Sequence, residues 1–387
     1  MRNAALLVVL GLLAWPAAAH AEPLGDGLPP ELPVPANGCV GASPVQSSRT
    51  AWALQRMAPE QVWPVTRGEG VVVAVLDTGV AAVPALDGAV LPRADVVSGA
   101  GDCRGRGTAL AGLIAARPVT GSGVVGLAPA ARIYPVRITD RQHKVTAESI
   151  ATGIRAATAA NVDVILIGIG ITGGSADLRQ AVAAATARDI LVVAPIDDSA
   201  PQPPATTGPV RFPAAYPEVL AVGGLSDAGT VAGAPGRDAG VDLAGPSVGA
   251  VSLAPVGPGH YRVAGAPVAA AYVAGAAALV RSYHPELSAE QVRQRLERSA
   301  ERPANPALTD ATGAGMVDPY AAVTGTRPRE TAASPVVPSP ARLPVARATA
   351  PSRAIGLAVT AAVFAAAALA FAAVVTVRLG RRRRWRP

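Results

Sequence analysis

The sequence predicts an α/β fold, a doubly wound and mainly parallel sheet flanked by helices. Three observations lead there. Short β-branched runs alternate with stretches of helical periodicity, the order that builds parallel sheets from strand–helix–strand units. A segment of small apolar residues at 267–283 is apolar nearly all round, which places it at the centre of the core. The first strong strand runs into Leu76-Asp77-Thr78-Gly79 and sets a carboxylate at the carboxyl edge of the sheet, where such folds keep their chemistry.

The elements follow in order. Strands are expected at 71–75, 132–136, 162–167, 190–194 and 219–222, each a run of Val, Ile, Leu or Ala bounded by polar or turn residues. Helices are expected at 108–116, 148–160 and 178–187 between them, then the long one at 267–283. Ser288 with Gln291 three residues later forms a capping box that opens a further helix.

With 50% hydrophobic and 16% charged residues in 387, disorder is excluded for most of the chain. The formal net charge of +7 is carried by the ends. Arg2, the six arginines between Arg378 and Arg386, and the arginines of 327–353 account for all of it, leaving residues 22–326 at about −4. A nucleic-acid partner is therefore not expected.

The ends read as addresses. Met1-Arg2-Asn3, an apolar run at 4–13, and small Ala19 and Ala21 ahead of Glu22 make 1–21 a signal peptide, which removes His20. Residues 354–377 hold no charge and, as a helix, would span about 36 Å, enough to cross a bilayer. The basic tail at 378–387 orients that helix with its C-terminus in the cytoplasm and the main domain outside. A removable anchor signal is the alternative. Six prolines among small residues make 327–353 an extended linker reaching on the order of 80 Å. The remaining division is an N-terminal extension at 22–66 that wraps the domain, and the domain itself at 67–326. The only cysteines, Cys39 and Cys103, fall in the exported part and are expected to form one disulfide, with free thiols as the alternative.

Several segments resemble the motifs of the subtilisin-like serine proteases. Leu76-Asp77-Thr78-Gly79 resembles their Asp motif, and Asp102-Cys103-Arg104-Gly105-Arg106-Gly107-Thr108 resembles the His motif D-x-x-G-H-G-T. Gly265-Ala266-Pro267-Val268-Ala269-Ala270-Ala271-Tyr272-Val273-Ala274-Gly275 resembles the Ser motif G-T-S-x-A-A-P-x-V-A-G. Within that family the chain is most similar to the mycosins, membrane-anchored proteases associated with type VII secretion. The shared features are the signal peptide, the cysteine beside the His motif, the Pro-rich linker and the terminal apolar helix. The resemblance implies a subtilisin-like fold, an extracytoplasmic domain, and the type VII membrane complex as partner.

The resemblance also shows where the chain departs. The family mechanism needs a hydroxyl nucleophile, an imidazole to take its proton, and a carboxylate to orient the imidazole. Asp77 is in place. Arg106 stands at the histidine position, and a guanidinium does not act as a general base near neutral pH. Pro267 stands at the serine position and carries no nucleophile. The oxyanion asparagine is replaced by an acid, Asp198 or alternatively Asp197, which would repel an oxyanion. The family's N-x-S after the substrate-side strand reads Leu166-Ile167-Gly168. Loss of nucleophile or base alone lowers turnover about a millionfold in this enzyme class. Arg106 is expected to pair with Asp77 in place of the lost Asp–His hydrogen bond.

Among the histidines, His143 reads as a surface loop residue, His284 as a helix-end residue, and His260 alone as a neighbour of the cleft, with no serine at a motif position beside it. Asp77 with Asp102 is a weak candidate for an acid pair. No metal-ligand spacing, phosphate-binding loop or dinucleotide fingerprint occurs, so no cofactor is expected. The sequence thus predicts a catalytically degenerate mycosin-like protein acting as scaffold or peptide holder. An endopeptidase with rearranged catalytic groups and a cell-surface binding module are the alternatives.

Overall fold

The computed structural model describes residues 27–35, 37–99, 101–140, 144–197, 209–233, 240–303, 305 and 308–325, with scattered positions between 365 and 378. Its strands are β1 (Val72–Asp77), β2 (Ala94–Asp95), β3 (Arg132–Arg137), β4 (Val164–Ile167), β5 (Leu191–Pro195), β6 (Leu220–Leu225), β7 (Val231–Ala232), β8 (Leu243–Pro246), β9 (Ala250–Leu253) and β10 (His260–Val263). The helices are α1 (Trp52–Met57), α2 (Arg106–Ala115), α3 (Ala147–Ala159), α4 (Ala176–Thr186), α5 (Ala266–Tyr283), α6 (Ala289–Ser299), α7 (Thr309–Thr312) and α8 (Pro319–Thr324).

One sheet runs in the order β2-β3-β1-β4-β5-β6, with β8 parallel and β7 antiparallel to β6. Alternate residues of its strands face two separate cores. Val73, Val75, Val164, Leu166, Val193 and Leu220 pack on the side of α2 and α5, while Ala74, Leu76, Ile165, Ile167, Val192 and Ala221 pack on the side of α3 and α4. A strand buried on both faces needs apolar residues throughout, which is why these segments read as continuous runs. After β1 the chain crosses to β3 on one side and then to β4 on the other, so β1 ends at the switch point of the sheet. Asp77, the last residue of β1, lies at that crevice.

α5 is buried from Ala266 to Val280 and lies along β4, β5, β6 and β8. Its alanines allow that approach, and Gly275 faces Leu127 instead, where a β-carbon would come 3.1 Å from Leu127 Cβ. α2 starts against the turn after β1 with even less room. A β-carbon at Gly107 would lie 2.0 Å from the carbonyl oxygen of Gly79.

The N-terminal residues are held along the domain at several points. Leu32 donates its backbone N–H to Arg262 at 2.9 Å, and Arg262 donates to Pro30 at 2.8 Å. Cys39 and Cys103 form the expected disulfide, and Val40 donates to the carbonyl of Cys103 at 2.9 Å. His260 donates its N–H to Val45 at 2.7 Å, and Trp52 Nε1 donates to Val248 O at 2.6 Å.

Most expected elements are present, with informative differences. α2 begins two residues earlier than expected because Gly105, at φ +74°, turns the chain into the helix directly. β6 extends through Gly223-Gly224-Leu225, where β7 and β8 supply pairing partners the local sequence does not announce. The capping box of Ser288 and Gln291 opens α6 as expected. Among the described residues no helix is long and apolar enough to cross a membrane. Most of 354–377 lies outside those residues, as do 1–26, 327–353, Asp198 and His143; the positions described within 354–377 are helical, and Leu369 and Val377 among them are exposed.

The disulfide bridges residues 64 apart in sequence, and constraining a loop of that length in the unfolded chain stabilises the fold by about 4 kcal/mol in the chain-entropy model. Replacing Cys39 and Cys103 together by alanine should lower the melting temperature by roughly 10 °C. Calorimetry of the two forms checks this, and coincident transitions would contradict it.

Candidate functional site

Asp77 has no exposed surface, yet it carries a carboxylate. Its Oδ1 accepts the backbone N–H of Thr78 at 2.7 Å and Nε–H of Arg106 at 3.2 Å. Its Oδ2 lies 3.2 Å from Nη2 of Arg106, without the alignment of a hydrogen bond. The guanidinium thus meets the carboxylate side-on. An ion removed from water in this way is tolerated only with a partner of opposite charge at contact distance. Arg106 is the first residue of α2, and the Gly107–Gly79 approach fixes where that helix begins relative to β1.

Asp102 organises the loop that delivers Arg106. Its Oδ1 accepts from Thr78 Oγ1 at 2.7 Å, Gly105 N at 2.8 Å and Arg104 N at 3.2 Å. Its Oδ2 accepts from the backbone N–H and the hydroxyl of Thr108, both at 2.7 Å. Burial raises the pKa of Asp102, the hydrogen bonds from Thr108 and Thr78 oppose that, and the charge of Asp77 adds to it. A carboxylate so fully engaged by loop donors is a structural brace. The weak acid-pair candidate has no support in this geometry.

Pro267 occupies the second position of α5, where the missing N–H leaves no intrahelical bond unmade. Pro267 and Arg106 line one cleft of about 550 Å³ together with Leu110, Val248, Arg262 and Val268, and Leu32 and Val34 of the N-terminal segment wall it. Arg106 keeps 30% of its side chain exposed towards solvent. Asp197, the alternative acid at the oxyanion position, is buried; a β-carbon at Gly233 would come 2.8 Å from its Oδ2. Asp198 lies outside the described residues. Leu32, Val34 and Arg262 escape a reading by motif, since Arg262 lies on β10 and the N-terminal segment reaches the cleft through the pairing of residues 30–32 with that strand. Gly168 had one signal, its place in the altered N-x-S.

His260 is corrected by the structure. It does not line the cleft with Arg106 and Pro267, and the serine beside it, Ser122, stands at no motif position. Nδ1 accepts the backbone N–H of Ser47 at 3.0 Å, and Nε2 lies 3.1 Å from Ser122 Oγ. With Nδ1 accepting, the ring proton sits on Nε2 and is donated to Ser122, so this imidazole takes no proton from the serine. The adjoining space of about 10 Å³ admits no peptide. His260 is 1% exposed and ties the N-terminal segment and the Ser122 loop to β10. His284 contacts Glu286 and Val323 O and takes no part in the cleft.

The model of the Subtilase family matches residues 68–315, from the approach to β1 through the loop after α7. The chain belongs to the subtilase family. It is 34% identical over 275 residues to Subtilisin Savinase of Lederbergia lenta, covering 70% of this chain and 97% of that protein. It is 36% identical over 237 residues to Subtilisin DY of Bacillus licheniformis, covering 60% of this chain and 85% of that protein. Among solved structures it resembles the MycP3 protease from the type VII (ESX-3) secretion system at TM-score 0.63 and 28% identity, over 75% of this chain and 93% of that one. MycP1 from Mycobacterium smegmatis matches at TM-score 0.64 and 26% identity, over 79% and 93%. The mycosin resemblance of the sequence is thus met by mycosin structures. As a subtilase the chain places Asp77 at the end of the strand the family motif predicts, with Arg106 facing it.

Burial lowers the pKa of His260 from 6.5 to about 4. Between those values the unfolded subtilase chain binds the extra proton, so stability rises with pH across the window. This contribution, about 3 kcal/mol at full extent, is present above pH 6.5 and lost as pH falls towards 4. Asp102 acts in the opposite sense, since its raised pKa favours the folded state on the acid side. Urea unfolding at pH 7 and pH 4.5 should therefore show a smaller difference for His260→Gln than for the unmodified chain; equal differences would contradict it.

Proposed function

We propose that this subtilase is a mycosin-like, membrane-anchored pseudoprotease that scaffolds a type VII secretion assembly or holds peptide in its cleft without cutting it. The observation that carries the reading is the side-on pairing of Arg106 with Asp77. In a hydrolytic triad the carboxylate orients a base; here it neutralises a permanent cation. Pro267, in the same cleft, offers no atom to attack a carbonyl. The link to type VII secretion rests on the MycP1 and MycP3 likenesses. Anchoring rests on the uncharged run at 354–377 and the arginines after it.

The purified protein should neither hydrolyse peptides nor take up a fluorophosphonate label. Arg106→His alone should leave it inactive, because no nucleophile is restored. Arg106→His with Pro267→Ser should give trace activity, and adding Asp198→Asn should raise it by about a hundredfold. Robust turnover by the unmodified protein, abolished by Asp77→Ala or His260→Ala, would establish a rearranged endopeptidase instead.

Protease added to intact protoplasts should remove the domain and leave the basic tail. Protection of the domain would refute the orientation. Co-purification from membranes with secretion-complex subunits is the expected partner result, and its absence favours a free-standing surface module.

A further inference from the structure

Gly168 follows β4 and donates its N–H to Leu76 O at 3.0 Å, so it lies beside Asp77 across the β1–β4 pair. Its φ is not among the positive values that favour glycine, so the backbone there accepts any L-residue. What excludes a side chain is space. A β-carbon on Gly168 would lie 2.1 Å from Oδ2 of Asp77 and 3.1 Å from its Cγ. The other close atom, Leu110 Cδ1 at 2.7 Å, is the end of a side chain that can turn away. Asp77 has no such freedom, since Thr78 N–H holds Oδ1 at 2.7 Å and Arg106 holds the outer edge.

We infer that Gly168 is a positioning residue for the Asp77–Arg106 pair. The bare backbone at 168 leaves the space into which Oδ2 leans, and that rotation of the carboxylate turns its edge to the guanidinium. Residues 77, 106 and 168 act as one unit, so the change at the histidine position and the loss of the side chain at 168 belong together. The inference deepens the pseudoprotease reading and rests on Arg106 being a permanent partner of Asp77.

A double-mutant cycle on the full chain in detergent tests it, using Gly168→Ala, Asp77→Ala and the pair. Gly168→Ala should shift the unfolding equilibrium constant at least tenfold in the unmodified background and less than about threefold beside Asp77→Ala. In 15N-arginine-labelled protein, Gly168→Ala should also raise hydrogen exchange at Arg106 Nε at least tenfold, which mere loosening elsewhere would not do. If Gly168→Ala fails to fold alone but folds with Asp77→Ala, the inference stands. Equal penalties in both backgrounds, failure to fold in both, or unchanged exchange at Arg106 Nε would overturn it. Peptide hydrolysis by the unmodified protein would refute the pseudoprotease reading and leave the outcome of the cycle unaffected, so the two failures are distinguishable.

Discussion

A carboxylate with no exposed surface sits at the carboxyl end of the central strand, and its compensation shapes everything near the cleft. Removing such an ion from water is costly unless charge and hydrogen bonds replace the lost solvent. Asp77 obtains one neutral donor from Thr78 and one cation from Arg106. The cation has to arrive at the same place in every molecule, which demands that the start of α2 be fixed. Gly107 fixes it by pressing the first turn of the helix against Gly79, an approach that no side chain permits. The chemistry of one ion pair therefore depends on a backbone contact between Gly79, two residues after Asp77, and Gly107, the residue after Arg106.

Asp102 holds the loop that carries Arg106 without engaging Arg106 itself. Its two oxygens gather donors from residues 78, 104, 105 and 108, so the loop conformation is set by a carboxylate that never faces the cleft. None of the donors to Asp102 comes from residue 106. The disulfide at Cys103 and the hydrogen bond from Arg104 to Pro35 further attach the loop to the N-terminal segment. His260 attaches the same segment farther along, at Ser47. A neutral, buried imidazole serves there because it supplies one acceptor and one donor to two otherwise separate loops.

Much of this was legible in the sequence, and the parts that were not share a cause. Strands β1, β4 and β5 are buried on both faces, so their apolar runs announce themselves; α5 does so through its alanines. β7, β9 and β10 are only two to four residues long and pair with neighbours in the chain, β7 with β6 and β9 with β10, so each run is too short for its alternation to stand out. At the site, Asp77, Arg106 and Pro267 were readable because motifs mark their positions. The His260–Ser122 contact was not, since 138 residues separate the two and only the folded chain reveals which ring nitrogen is occupied. Gly168 was visible as a departure from a pattern, but the meaning of that departure lies in a clearance of 2.1 Å.

The packing that holds the walls of the cleft does not run through the polar residues inside it. α5 is held by alanines against four strands, and Pro267 asks of it only a position where an N–H is unneeded. α2 is held by Gly112 against Ser252 and Leu253 as well as by Gly107. Neither packing arrangement involves a nucleophile or a base. A subtilase scaffold thus presents its cleft whether or not the residues there can cut, and function has to be argued from those residues rather than from the fold. In this chain the cleft is lined by apolar residues, Glu31 and two arginines, of which Arg262 pairs with Glu31 while the carboxylate of Asp77 holds Arg106.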